Sequence, residues 1–304
     1  MSSEGVNVVL LTSCCFDGLV EPYFLFLVLK KSSSGMEVYR SFLLAISISN
    51  ILLNLGFFVL SPEFDFSNKI LCIRSGHLPL VASLSAWFSC AFLLNVILQA
   101  SLLTLLYAAL KISKPTSNVE MGSPKAIIFV ALLTLLPSLC FLTTMNFIRI
   151  DFECYDFSPN TSTIVFFAYM NFYNLVYVAI TNSAIFQIWK VSRSTTFAVS
   201  SNTVKVVLAV VRNFMITFGI LSAFIILPFV IAIVLGFVTS GDSPSIAFKV
   251  LIRTLAAYVP LSTMASIFVF RPYRHFTIGL VKRVLPFTVS NNTITVVVSS
   301  VNTK

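Results

Sequence analysis

Seven long apolar runs, separated by short polar segments, organise the chain. They cover Val6 to Leu29, Ser41 to Leu60, Leu78 to Leu110, Ala126 to Met145, Thr163 to Trp189, Val206 to Val238 and Phe248 to Phe270. About 20 apolar residues at a rise of 1.5 Å each cross the roughly 30 Å hydrocarbon core of a bilayer. Each run therefore predicts a membrane-spanning helix. The third is long and is expected to tilt. Pro137, Pro228 and Pro260 fall inside runs, which neighbouring helices make tolerable by satisfying the freed carbonyls. The first run is the weakest, because it holds Asp17, Glu21 and Pro22. The last run stops at Phe270-Arg271-Pro272-Tyr273-Arg274 and continues as His275 to Arg283. An apolar helix that meets a proline and two arginines, then carries on as a short basic amphipathic segment, predicts a span ending at a membrane face. The second helix would lie along the headgroups.

Composition points the same way. Of 304 residues, 57% are hydrophobic and 10% charged, and 30 are Phe. Soluble domains carry about 25% charged residues, so a water-covered surface is excluded. The net charge of +9 would suggest nucleic acid in a soluble protein; here the placement of the charges matters more than their sum. The connections at Lys30–Arg40, Lys111–Lys125 and Lys190–Arg212, with the tail from Arg271, hold 15 basic residues and two acids, Glu37 and Glu120. The opposite side holds five basic residues and nine acids. The positive-inside bias makes the basic face cytoplasmic. The fold class expected is all-α: an integral membrane seven-transmembrane helix bundle, N-terminus outside and C-terminus cytoplasmic. Residues 1–285 would form the bundle with its short amphipathic helix. Residues 286–304, rich in Ser, Thr and Asn, would be a flexible cytoplasmic tail carrying candidate phosphorylation sites.

Six cysteines show no CxxC or Cys/His ligand spacing, so zinc is not expected. Cys72 and Cys154 fall in the first and second outer connections, where a disulfide can form. It would tie the outer end of the third span to the loop after the fourth. Asn160-Thr161-Ser162 is a glycosylation sequon in that same loop; Asn291-Asn292-Thr293 lies in the tail and should stay unmodified. The first run lacks a basic leader and reads as a span rather than a cleaved signal peptide. No repeat of fixed period appears, which weighs against inverted-repeat transporters.

Catalysis finds no constellation. His77 and His275 lie at opposite faces, so they cannot share a metal, and no cofactor is expected. Asp17 and Glu21 are spaced i, i+4 and would share a helix face. An intramembrane carboxylate is a functional candidate, but the preferred reading starts the first span later and leaves both acids in water. Lys249 and Arg253, also i, i+4, are available as partners. No lysine sits at mid-depth in the seventh run, which argues against a retinal Schiff base.

Three short stretches carry a resemblance. Leu27-Val28-Leu29-Lys30-Lys31-Ser32 followed by Met36-Glu37-Val38-Tyr39-Arg40, Cys72 before the third span, and Phe270-Arg271-Pro272-Tyr273-Arg274 together resemble the nematode serpentine chemoreceptors. These are seven-transmembrane G-protein-coupled receptors, and the nearest group is class delta within the Str superfamily. Departures exist. Glu21 stands where the family carries an asparagine, and Tyr107-Ala108 replaces an expected Tyr-Arg, which puts G-protein coupling in question. The stretch ahead of the first span is short for the family, so an incomplete start is expected.

The resemblance implies olfactory or other chemosensory transduction at the plasma membrane, as a multi-pass protein, in the cilium of a sensory neuron. It implies a small, volatile or apolar ligand and a heterotrimeric G protein as partners, with membrane lipid around the bundle and no nucleic acid. Oligomeric state is left open. Ligand candidates are the polar and aromatic residues expected to face inward from the outer halves of the spans: Trp87, Asn95, Tyr169, Phe172, Tyr173, Phe224, Phe229 and Tyr258. A given aromatic there is more often helix packing than ligand contact. Asn95, Asn171, Asn174 and Asn182 are the better signals, since an amide in hydrocarbon needs an interhelical partner. The expected G-protein face is Tyr107, Lys111, Lys114, Arg193, Lys205, Arg212 and Arg274. Topology and attraction to anionic lipid account better for most of those charges taken one by one. The reading from another class is a small-molecule membrane transporter or channel.

Overall fold

The computed structural model describes residues 3–32, 36–60, 62–67, 70–75, 78–113, 124–149, 154–158, 160–193, 201–238 and 243–284. His77, Lys114, the sequon at Asn291 and the tail 286–304 lie outside them, as do the side chains of Phe229 and Lys249. Nine helices are present among the described residues. They are α1 (Ser3–Lys31), α2 (Glu37–Leu60), α3 (Leu80–Ser113), α4 (Pro124–Phe147), α5 (Thr161–Arg193), α6 (Ser201–Leu221), α7 (Leu227–Val238), α8 (Ser243–Val269) and α9 (Arg271–Val284). Six are long and apolar enough to cross a membrane on their own, and α8 with α9 makes a seventh if that bent pair counts as one. The protein is an all-α membrane bundle, and its helices overlie all seven apolar runs. They extend a few residues past most run ends, into polar turns such as Lys30-Lys31 and Lys190–Arg193.

The sixth run is one continuous rod of α6, a π-helical turn at Ser222–Ile226, and α7. Pro228 explains the turn. It has no N–H for the Phe224 carbonyl, and the ladder widens just before it, with the Leu227 amide donating to the Ser222 carbonyl five residues back. The seventh run bends by 97° between Val269 and Arg271, so α9 leaves the bundle nearly at right angles to α8, as the Phe270-Arg271-Pro272 junction predicts.

Sequence pattern missed the connection after α2. It folds as β1 (Pro62–Ser67) and β2 (Ile70–Ser75), and β3 (Cys154–Asp156) adds from the connection after α4 to complete an antiparallel sheet ordered β1-β2-β3. Cys72 and Cys154 face each other in register and are joined by a disulfide. Tyr155 beside it is buried. Burial pushes its hydroxyl above the ordinary phenol range, against the opposing charge of Arg149.

The core has two layers. The layer nearer the disulfide gathers Leu53, Phe57, Cys90, Phe166, Leu255 and Tyr258. The layer nearer the Lys/Arg-rich end gathers Phe24, Leu27, Tyr39, Leu105, Phe214 and Tyr273. Many large apolar side chains on α4 and α5, such as Leu132, Leu139, Phe172 and Leu175, are exposed, as a lipid-facing surface requires. α9 is seated on α1. Tyr23 Oη and Thr277 Oγ1 are 2.8 Å apart, as are Ser32 Oγ and Tyr273 Oη. Lys31 Nζ lies 4.4 Å from the centre of the Phe276 ring.

Candidate functional site

Between the two layers sits a cluster of buried polar residues. Its centre is Glu21, fully buried on α1. Ser47 donates to Glu21 Oε2, Thr263 donates to Oε1, and Asn50 Nδ2 donates to Oε1 at 3.1 Å. Three helices, α1, α2 and α8, therefore converge on one carboxylate. An isolated buried carboxylate costs several kcal/mol even after relaxation, and three directed donors offset part of that. Asp17, one turn earlier, is also buried, with Asn54 beside it and Oδ1 without a protein partner. The expectation that both acids face water is thereby overturned. α1 is helical from Ser3, which places both acids well inside the helix, and α2 meets them with polar groups. Ser47, Asn50 and Asn54 stand at i, i+3 and i+7, and all are buried. That stripe was readable in the sequence as polar residues at helical spacing inside an apolar run.

Beside the cluster lies a cavity of about 40 Å³, room for roughly three waters. Five helices line it: Phe24 from α1, Tyr39 and Asn50 from α2, Ser101 and Thr104 from α3, Asn213 and Thr217 from α6, and Tyr258 and Thr263 from α8, with Phe270 from the junction between α8 and α9. It runs from the level of Glu21 toward the basic end, where Tyr39 and Phe270 stand. Four buried polar atoms without a protein partner belong to its wall: Tyr39 Oη, Asn50 Oδ1, Asn213 Oδ1 and Thr217 Oγ1. Among the described residues there is no group of three or more His, Cys, Asp or Glu that could hold a metal.

The sequence-predicted ligand residues are not gathered by this cavity. Among those whose side chains are described, only Tyr258 lines it. Trp87 packs half-buried against the disulfide-end layer. Tyr169 donates to the Pro137 carbonyl at 3.0 Å, tying α5 to α4. Tyr173 accepts from Gln99 Nε2, and Tyr177 donates to the Leu98 carbonyl at 3.3 Å, tying α5 to α3. Phe224 sits in the π turn and packs on the same layer as Trp87. Phe172 is exposed rather than inward-facing. The asparagines also differ from expectation. Asn95 and Asn171 donate to carbonyls of their own helices, Ala91 and Phe167, and Asn171, Asn174 and Asn182 are exposed. An amide satisfied four residues back needs no second helix. Asn50, Asn54 and Gln99 are amides that do meet other helices, and none of them was singled out.

At the basic end, Tyr107 lies edge-on to Tyr39 with ring centres 5.3 Å apart. Arg212 Nη2 donates to the Val269 carbonyl at 2.8 Å, joining α6 to the last turn of α8. Lys111 and Arg274 are half-buried, and Lys205 is exposed. Arg193 stacks on Trp189 of its own helix at 4.1 Å. At the other end Asn160 caps α5, its Oδ1 accepting from the Thr163 amide at 2.8 Å. The Asn160 side chain is exposed. No family model matches the chain, and no curated protein matches it.

Proposed function

We propose that the chain is a seven-transmembrane G-protein-coupled chemoreceptor of the plasma membrane. Its N-terminus would be outside and its C-terminus cytoplasmic, and it would take a small, volatile or apolar ligand. One observation carries the reading. The disulfide joins the strand just before α3 to the strand between α4 and α5, so the bundle's central helix is covalently clamped at that end. α3 packs against α2, α4, α5 and α6. At its other end those helices are held by separable contacts, such as Arg212 on the Val269 carbonyl. An agonist that favours the state with those contacts open shifts the population toward it, and a partner that binds the opened basic end is reciprocally favoured.

The assay is expression in a cell carrying a G-protein activation reporter, challenged with an odorant panel. Ligand-dependent activation that Cys72→Ser abolishes supports the proposal. Ligand-driven ion flux without any G protein refutes it and favours the second reading, a small-molecule transporter or channel. That reading draws on one observation of its own, the buried Glu21 beside a polar cavity.

A further inference from the structure

We propose that the outward face of α5 is the interface of a parallel homodimer, in which Asn182 pairs with the same residue of a second copy across a two-fold axis. The argument starts from amides exposed at membrane depth. Asn182 is exposed and lies two turns before Lys190, which marks the basic end of α5. That places it about 12 Å inside the membrane from the Lys190 level. Asn174, two turns further in, is exposed as well. Among the described residues neither side chain has a hydrogen-bond partner. Hydrocarbon supplies no donor or acceptor, so an unpaired amide there is costly. α4 shows the pattern of a face that meets only lipid. It is as little enclosed as α5, and at mid-span it exposes Leu132, Leu135, Leu136 and Leu139.

The second observation is spacing. Ile164, Asn171 and Val178 recur every seven residues, and so do Ala168, Leu175 and Asn182, offset by four. All six are exposed. A repeat averaging 3.5 residues keeps one seam against a neighbouring helix as the two coil around each other. The opposite side of α5 is already engaged, through Tyr173 on Gln99 and Tyr169 on the Pro137 carbonyl. The choice of a second copy follows from symmetry and from amide chemistry. Copies insert in one orientation, so a two-fold axis along the membrane normal sets each seam residue near its own counterpart. An amide carries both a donor and an acceptor and is therefore complementary to itself. Nδ2 of one Asn182 donates to Oδ1 of the other, and the reverse bond closes the pair. One such polar residue in an apolar seam fixes register and oligomeric state. Asn171 already donates to the Phe167 carbonyl, so the register rests on Asn182. The interface needs the membrane bundle and does not depend on the receptor reading.

The test uses the purified full chain, carrying a donor or an acceptor dye at its C-terminus, in liposomes of decreasing protein-to-lipid ratio. Energy transfer should fall along a monomer–dimer isotherm. Asn182→Leu changes an exposed side chain and should keep the melting temperature of the parent. It should raise the protein density at half-dissociation on the order of tenfold. Asn182→Gln, which keeps a donor and an acceptor, should raise it less. Oxidation with copper phenanthroline reads the seam separately. Leu175→Cys and Asn182→Cys should cross-link beyond the parent, whereas Val176→Cys and Ser183→Cys, exposed on the adjoining face, should not. Energy transfer no greater than chance proximity would mean that lipid or a different protein covers the face, and would overturn the proposal. So would an Asn182→Leu protein that associates like the parent, or cross-linking through Val176→Cys and Ser183→Cys as efficient as through the seam.

Discussion

Replacing Gly56 by alanine tests a close contact between α2 and α3. α2 and α3 form the most extensive helix pair, and a Cβ at position 56 would meet Cys90 Sγ at 2.6 Å, where ordinary contact begins at 3.4 Å. Cys90 is buried, and a helix leaves cysteine few alternative rotamers. The methyl group therefore has to push the helices apart. Overpacking of this kind costs about 1–3 kcal/mol. Cys90→Ala removes the sulfur and alone costs about 1 kcal/mol for the lost apolar burial. Combined, the new methyl group occupies space the sulfur has left. The double variant should then melt close to Cys90→Ala, with a favourable coupling of about 1–2 kcal/mol. Melting of the four proteins in detergent, read as the monodisperse fraction on size exclusion, gives the cycle. A Gly56→Ala protein that melts like the parent refutes the reasoning. So does a double variant as damaged as the two singles added together.

Three further outcomes follow from single contacts. Cys72→Ser opens an 82-residue separation between the cross-linked positions. Chain entropy sets a ceiling of about 4–5 kcal/mol on the loss, and helices that persist in lipid lower it; a melting point insensitive to both Cys72→Ser and reductant would contradict the linkage. Asn160→Ala removes the α5 cap and should cost about 1 kcal/mol, whereas Asn160→Asp keeps the cap. If the sequon is used, both variants lose the same glycan shift on a gel, so equal melting of the two would refute the capping role. Tyr273→Phe breaks only the bond to Ser32 and should cost about 1 kcal/mol. Tyr273→Ala, which empties a fully buried ring site, should cost about 3–5 kcal/mol; the reverse order would show that α9 is not docked through this ring.

The helices were legible because each run is apolar for the length a bilayer demands, and even the break at Phe270-Arg271-Pro272 could be placed. The sheet was not, since strands as short as Cys154–Asp156 are held by pairing and a disulfide rather than by a local pattern. The polar centre was half legible. Asp17 and Glu21 stood out, but their burial depends on which face of α2 turns toward them. The stripe Ser47, Asn50, Asn54 answers that only once α1 and α2 are known to pack together. Asn213 and Thr217 carry no sequence signal, because one polar residue per turn in α6 is as compatible with a solvated face as with a cavity wall. Phe172 and the α5 asparagines misled for the same reason: residue type does not fix which side of a helix meets lipid.

The proposed bundle crosses the membrane seven times from an outside N-terminus. It is tested most directly by epitope tags placed ahead of Met1 and after Lys304, probed on intact and permeabilised cells expressing the chain. The N-terminal tag should be labelled on intact cells and the C-terminal tag only after permeabilisation. Both tags on one side would mean an even number of crossings. An N-terminal tag hidden until permeabilisation would invert the bundle. Either result would contradict seven crossings from an outside N-terminus.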